Sequence, residues 1–203
     1  MIVIVDYGLG NVHSILSKIR QINEPALISS EISIIENADK LILPGIGSFD
    51  SGMLSIEQLG LTEILKKKIL KEKNQILGIC LGMQLFGQKS GEGIKTGLGL
   101  TSYETRKFQF PSGINYPIPH MGWNTIKIQE DCSLLKGIPN NSRYYFAHSY
   151  HVNCKEKIGI VTLTHYGYDF PSIIQHDNIF GVQFHPEKSH KQGIQLLRNF
   201  VMM

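Results

Sequence analysis

Short apolar runs rich in β-branched residues alternate along the chain with stretches whose apolar residues recur every three or four positions. Residues 2–5, IVIV, are the first such run, and Asp6 with the glycines Gly8 and Gly10 ends it. Across residues 12–22, Val12, Ile15, Ile19 and Ile22 share one face at helical spacing. Residues 41–43 form a second buried-strand pattern, stopped by Pro44 and Gly45. Residues 61–70 read as a helix with Leu61, Ile64, Leu65 and Ile69 on one side and lysines on the other, and residues 75–79 as a third strand. Continuous apolar strands alternating with helices predict a parallel sheet covered on both faces.

From about residue 100 the helical period fades. Strand patterns are expected at 125–128, 143–150, 158–164, 172–175 and 179–184, and a closing helix near 193–201 carries the stripe Ile194, Leu197 and Val201. The expected fold is α/β, a mostly parallel core with an antiparallel portion added on. No repeat, low-complexity tract or linker interrupts the pattern, so residues 1–203 are expected to form a single domain.

Composition narrows the function. With 203 residues, 42% hydrophobic and 18% charged, the chain can bury a sizeable core and falls outside the disordered class. The formal charge of +3 is local: segment 66–73, KKKILKEK, holds five Lys and one Glu, and without it the remainder is slightly acidic. A lysine run on a helix is most simply its solvated face, and no nucleic-acid-reading motif accompanies it. Cys80, Cys132 and Cys154 are odd in number and widely spaced, which fits a reducing compartment rather than a disulfide framework. No basic leader opens the chain, and no apolar stretch nears the ~18–20 residues of a membrane span. A cytoplasmic protein without membrane or nucleic-acid partners is expected.

The sharpest chemical feature is QILGICLGMQ at 75–84, where a strand pattern runs through Gly78, Cys80 and Gly82 into helical residues. This is G-x-C-x-G, the thiol counterpart of the G-x-S-x-G nucleophile elbow. A nucleophile on a tight strand-to-helix turn needs glycine two residues before and after it to avoid clashes. The helix N-terminus then faces the sulfur and favours negative charge there, and the first helical N–H groups, that of Leu81 included, are available to an oxyanion. A cysteine nucleophile needs a base, and the base an orienting group. In GVQFHPEKS at 181–189 an apolar strand ends at His185, and Glu187 can turn back to the imidazole. A third segment, LPGIGS at 43–48, brings a strand into Pro-Gly-x-Gly, whose glycines let backbone approach a bound molecule. Each segment alone also fits a plain structural reading; together they supply nucleophile, base, orienter and backbone donors.

With these segments the chain resembles the class I (Cys-His-Glu) glutamine amidotransferases, and among them the glutaminase subunits that serve imidazole glycerol phosphate formation. The resemblance runs through DYGLGN at 6–11, PGIGSFDSGM at 44–53, GICLGMQLF at 78–86, GLG at 97–99, PHMGWN at 119–124, YYFAHSYH at 144–151 and GVQFHPEKS at 181–189. It implies an open, mostly parallel, flavodoxin-like sheet with helices on both faces. It also implies hydrolysis of L-glutamine through a thioester, with Cys80 as nucleophile, His185 as base and acid, and Glu187 as orienter. Leu81 and a residue of 45–47, Gly47 in particular, would form the oxyanion hole. Gln84, Ser149 and Tyr150 would hold the amino-acid end of glutamine beside Gly47. The ammonia would pass to a separate (βα)₈ cyclase subunit in a heterodimer, with Asn11, Met121, Trp123, Asn124, Tyr145 and Lys188 near the partner-facing mouth.

Two segments depart from the family pattern. Ser90-Gly91-Glu92-Gly93 replaces an acidic pair before glycine, so that loop is expected to be flexible and without function, and 170–173 is FPSI in place of a small-residue version. His148, His151 and Cys154 lie three apart, which on a strand points adjacent members to opposite faces. No metal is expected there, and no other cofactor is implied. The motifs describe glutamine and its ammonia rather than the acceptor. A paralogue feeding a surface-sugar precursor, or a non-catalytic scaffold subunit, therefore remains an alternative on sequence alone.

Overall fold

The computed structural model describes residues 1–113, 115–154 and 159–203. The apolar runs are strands and the periodic stretches helices. The first half holds β1 (Ile2–Val5), α1 (Val12–Arg20), β2 (Ala26–Ser29), α2 (Ile32–Glu36), β3 (Lys40–Leu43), α3 (Phe49–Gln58), α4 (Leu61–Lys66), β4 (Gln75–Ile79) and α5 (Leu81–Leu85), of which β2, α2 and α3 add to the expected elements. The second half holds β5 (Glu104–Lys107), β6 (His120–Thr125), β7 (Lys127–Ile128), β8 (Arg143–His148), β9 (Tyr150–Asn153), β10 (Ile160–His165), β11 (Asp169–His176), β12 (Ile179–Val182) and α6 (His190–Met202).

One sheet runs in the order β2-β1-β3-β4-β12-β11-β10-β7. The pairs from β2 to β12 are parallel, and β12-β11-β10-β7 are antiparallel. Alternation along β1 sends Ile2 and Ile4 into one core with α1 and α6, and Val3 and Val5 into the opposite core with α3 and α4. The mostly parallel α/β sheet with helices on both faces is therefore as expected, as is the antiparallel addition.

Several expected boundaries move. The 143–150 run breaks at Ser149 because its halves pair with different strands: β8 with β6, and β9 with β5. The 125–128 run divides between β6 and β7, and residue 158 of the expected 158–164 strand lies outside the described residues. The helix at 61–70 continues past α4 as a π-helical turn, Lys67–Lys71. Lys68 falls on its inner face, three and four residues after Leu65 and Ile64, and is buried. Its ammonium donates to the Glu36 carbonyl at 2.8 Å and to Glu72 at 2.9 Å, so the lysine run is not wholly a solvated face.

The topology places the chemistry. β4 and β12 are parallel neighbours in register, Gly78 against Gly181 and Ile79 against Val182. The turns that leave these two strands therefore emerge side by side at one carboxyl edge, and the Cys80 N–H donates to the Val182 carbonyl at 2.8 Å. The 44–47 loop leaves β3 at that same edge. In open parallel sheets this edge is where ligands bind.

Candidate active site

Cys80 occupies a backbone conformation that side chains rarely adopt, φ +53° and ψ −108°, between the end of β4 and the first turn of α5. The flanking glycines are sterically required. A Cβ on Gly82 would lie 1.8 Å from the Leu43 carbonyl oxygen, and one on Gly78 would lie 2.7 Å from the Met83 backbone. A Cβ on Gly45 would lie 2.7 Å from the Leu81 Cβ, so the 44–47 loop is pressed against the elbow. The Tyr7 hydroxyl holds that loop by donating to the Pro44 carbonyl at 2.6 Å.

His185 lies just beyond β12, and Glu187 sits on the 3₁₀ turn Pro186–Lys188; both are buried. His185 Nδ1 is 3.0 Å from Glu187 Oε1. A carboxylate only accepts, so Nδ1 carries the proton and the other ring nitrogen is left for Cys80. Burial works against charge on this imidazole. Hydrogen bonds to Cys80 and Glu187, with electrostatic attraction to both, outweigh it and raise the His185 pKa to about 10. Ser189 fixes the turn: its hydroxyl donates to the His185 carbonyl at 2.6 Å and accepts the Tyr145 N–H at 3.0 Å.

Cys80 opens into a cleft of about 210 Å³ lined by Ile46, Gly47, Leu81, Gln84, Glu92, Pro119, Met121, Ala147, His148, Ser149 and Tyr150. That is below the ~300–1,000 Å³ of pockets for drug-sized ligands and suits a molecule of amino-acid size. Leu81 opens α5, where the first N–H groups have no intrahelical acceptor. Gly47, at φ +106°, lies on the same wall. Ser149 and Tyr150 reach the cleft because the chain changes partner strands between them. Gln84 is more constrained than expected. Its amide N–H groups are taken by the Tyr150 carbonyl at 2.9 Å and Gln183 Oε1 at 3.1 Å, so its own oxygen is left for a ligand.

Glu92 also lines the cleft, from the loop whose sequence suggests flexibility without function. Its loop is pinned rather than flexible: Glu92 Oε2 accepts the Phe49 N–H at 2.8 Å, and the Asp50 carboxylate accepts those of Ile94 and Lys95, each at 3.0 Å. The signal available in sequence is the helix start SFD at 48–50, whose free N–H groups attract a carboxylate.

Of the six residues expected at a partner face, four cluster. Met121 and Trp123 point outward from β6, 64% and 39% exposed, and the Trp123 ring meets Tyr145 edge-on at 6.1 Å. Lys188 lies 5.6 Å over the Tyr145 ring. His190, unforeseen, stacks on Trp123 at 5.1 Å. Asn11 caps α1, accepting the Ser14 N–H, on the loop that leaves β1 at the catalytic edge. Asn124 is turned inward by the two-residue period of β6 and donates to the His165 carbonyl at 2.9 Å.

The sequence profile described as glutamine amidotransferase class-I matches residues 3–203. The chain is 49% identical over 201 residues to imidazole glycerol phosphate synthase subunit HisH 2 of Methanococcus maripaludis, covering 99% of this chain and 98% of that protein. It is 41% identical, with the same coverages, to the subunit of that name from Pseudomonas aeruginosa. It is 42% identical to subunit HisH 1 of Campylobacter jejuni over the full length of both. Among solved structures, one titled a glutamine amidotransferase superposes with a TM-score of 0.76 at 16% identity, covering 98% of this chain and 97% of the other. PurLQS from Thermotoga maritima superposes at 0.69, also 16% identical, covering 99% and 97%; such distant likeness bears on fold alone.

Proposed function

The chain belongs to the class-I glutamine amidotransferase family, and from that premise we infer that it is the glutaminase subunit of an imidazole glycerol phosphate synthase in histidine biosynthesis. The observation that carries the chemistry is the buried Cys80–His185–Glu187 arrangement opening into one small cleft. In this reading the Cys80 sulfur attacks the side-chain amide carbon of L-glutamine. The carbonyl oxygen, gaining negative charge, is met by the Leu81 N–H and a backbone N–H at Gly47. The proton on His185 passes to the departing nitrogen, and ammonia leaves a thioester on Cys80. Water then attacks the thioester, His185 accepts its proton, and glutamate departs as the sulfur is restored. Glu92, lining the cleft, faces the substrate ammonium, while Ser149, Tyr150 and the Gln84 oxygen meet its remaining polar atoms.

The ammonia goes to a partner synthase subunit. The (βα)₈ fold of that partner, its docking on the face of Met121, Trp123, Tyr145 and Lys188, and a cytoplasmic location belong to the same proposal. Among the described residues no helix is long and apolar enough to cross a membrane. The test is growth of a histidine auxotroph that lacks its own glutaminase subunit, at low ammonium. The wild-type chain restores growth and Cys80→Ala does not; failure of the wild type, or rescue by Cys80→Ala, overturns the assignment.

A further inference from the structure

Gln183 is the first residue after β12 and is wholly buried. Because β12 and β4 are in register, it emerges beside Cys80, and its Nε2 donates to the Cys80 sulfur at 3.6 Å. A carboxamide can present either end, so the contact matters only if something fixes which end faces the sulfur. Here the far side does. Gln183 Oε1 accepts from Gln84 Nε2 at 3.1 Å, and the second Gln84 N–H goes to the Tyr150 carbonyl at 2.9 Å. A flipped Gln183 would set N–H against N–H and an oxygen against the sulfur.

The Tyr150 carbonyl is itself anchored. His148 Nδ1 lies 2.8 Å from it, and since a carbonyl only accepts, Nδ1 carries the proton and His148 Nε2 is bare. That bare nitrogen accepts from His120 Nδ1 at 3.0 Å, which leaves His120 Nε2 to accept from Asn124 Nδ2 at 3.2 Å. The assignment requires both imidazoles to be neutral. Burial supplies this, taking His120 down to about 4 and His148 well below the ordinary histidine range. Every bond from Asn124 to the sulfur thus has one allowed direction.

We propose that Gln183 is a further catalytic residue: its amide N–H donates to the Cys80 sulfur, and the array Gln84–Tyr150–His148–His120–Asn124 holds it in that orientation. The proposal rests on Cys80 being the nucleophile. The donor stabilises negative charge on the sulfur and aims it at the cleft, alongside His185; Tyr7 also interacts with Cys80, its hydroxyl bound to the Pro44 carbonyl, and the titratable Glu92, His148 and Tyr150 line the same cleft.

The test is alkylation of Cys80 by iodoacetamide, followed by peptide mass spectrometry from pH 5 to 9 in a Cys132→Ser, Cys154→Ser background. Gln183→Leu is expected to slow alkylation about tenfold at neutral pH and to move its pH profile upward. Gln183→Glu, placing a carboxylate against the sulfur, should move it further. Gln183→Met, closer in shape, gives the same reading if the Leu variant does not fold. Profiles identical to the parent overturn the role of Gln183 alone. A parent protein whose Cys80 shows no pH-dependent alkylation overturns the nucleophile reading as well.

Discussion

His185 carries its charge despite burial. Removing an imidazole from water disfavours the imidazolium, yet the contacts with Cys80 and Glu187 raise its pKa from 6.5 to about 10. The folded value lies above the unfolded one, so this contribution to stability is fully present below about pH 6.5 and is lost as the pH rises through about 10. Glu187→Gln removes the partner charge while keeping the shape. Thermal unfolding should show the variant well below wild type at pH 6, with the gap narrowing steadily towards pH 10; a gap independent of pH would contradict the ion pairing. Cys80, His185 and Glu187 were legible in sequence because each lies beyond a strand end in a short segment that carries its own chemistry. Gln183 and Glu92 were not, because their roles depend on what the fold brings beside them: a sulfur 103 positions away for Gln183, and the start of α3 for Glu92.

At the scale of elements, the strand-to-helix turn is defined by what cannot fit. The Leu43 carbonyl occupies the space where a Cβ on Gly82 would go, so Gly82→Ala must push β3 and α5 apart. Overpacking of this kind costs about 1–3 kcal/mol, occasionally more. Urea unfolding should show Gly82→Ala destabilised by about 2 kcal/mol or more, and a change under ~0.5 kcal/mol would mean the turn is not tightly packed. β4 was readable to the residue because an apolar run between polar and glycine boundaries admits one reading. α3 was missed: Ser51 and Gly52 break its apolar period, and its inner face is defined by Leu85 packing against Gly52. Ser149 could not be foreseen as a break, because the choice of partner strand is a long-range matter.

For the whole molecule, two cores on opposite faces of one sheet hold the carboxyl edge where β3, β4 and β12 deliver the proposed backbone donors, nucleophile and base. The lysine run lies apart from it, and its Lys67 and Lys68 are engaged within the chain by Glu36 and Glu72. The exposed Met121 instead lines the cleft, with the exposed Trp123 two residues further along the same strand. Glutamine hydrolysis at this edge is proposed to run through Cys80. It is measured as glutamate release from L-glutamine by the chain assembled with its synthase partner, for wild type and Cys80→Ala. Turnover is expected for the wild type, with a loss of about 10³-fold or more in the variant; a Cys80→Ala protein that keeps wild-type turnover would overturn the role of Cys80.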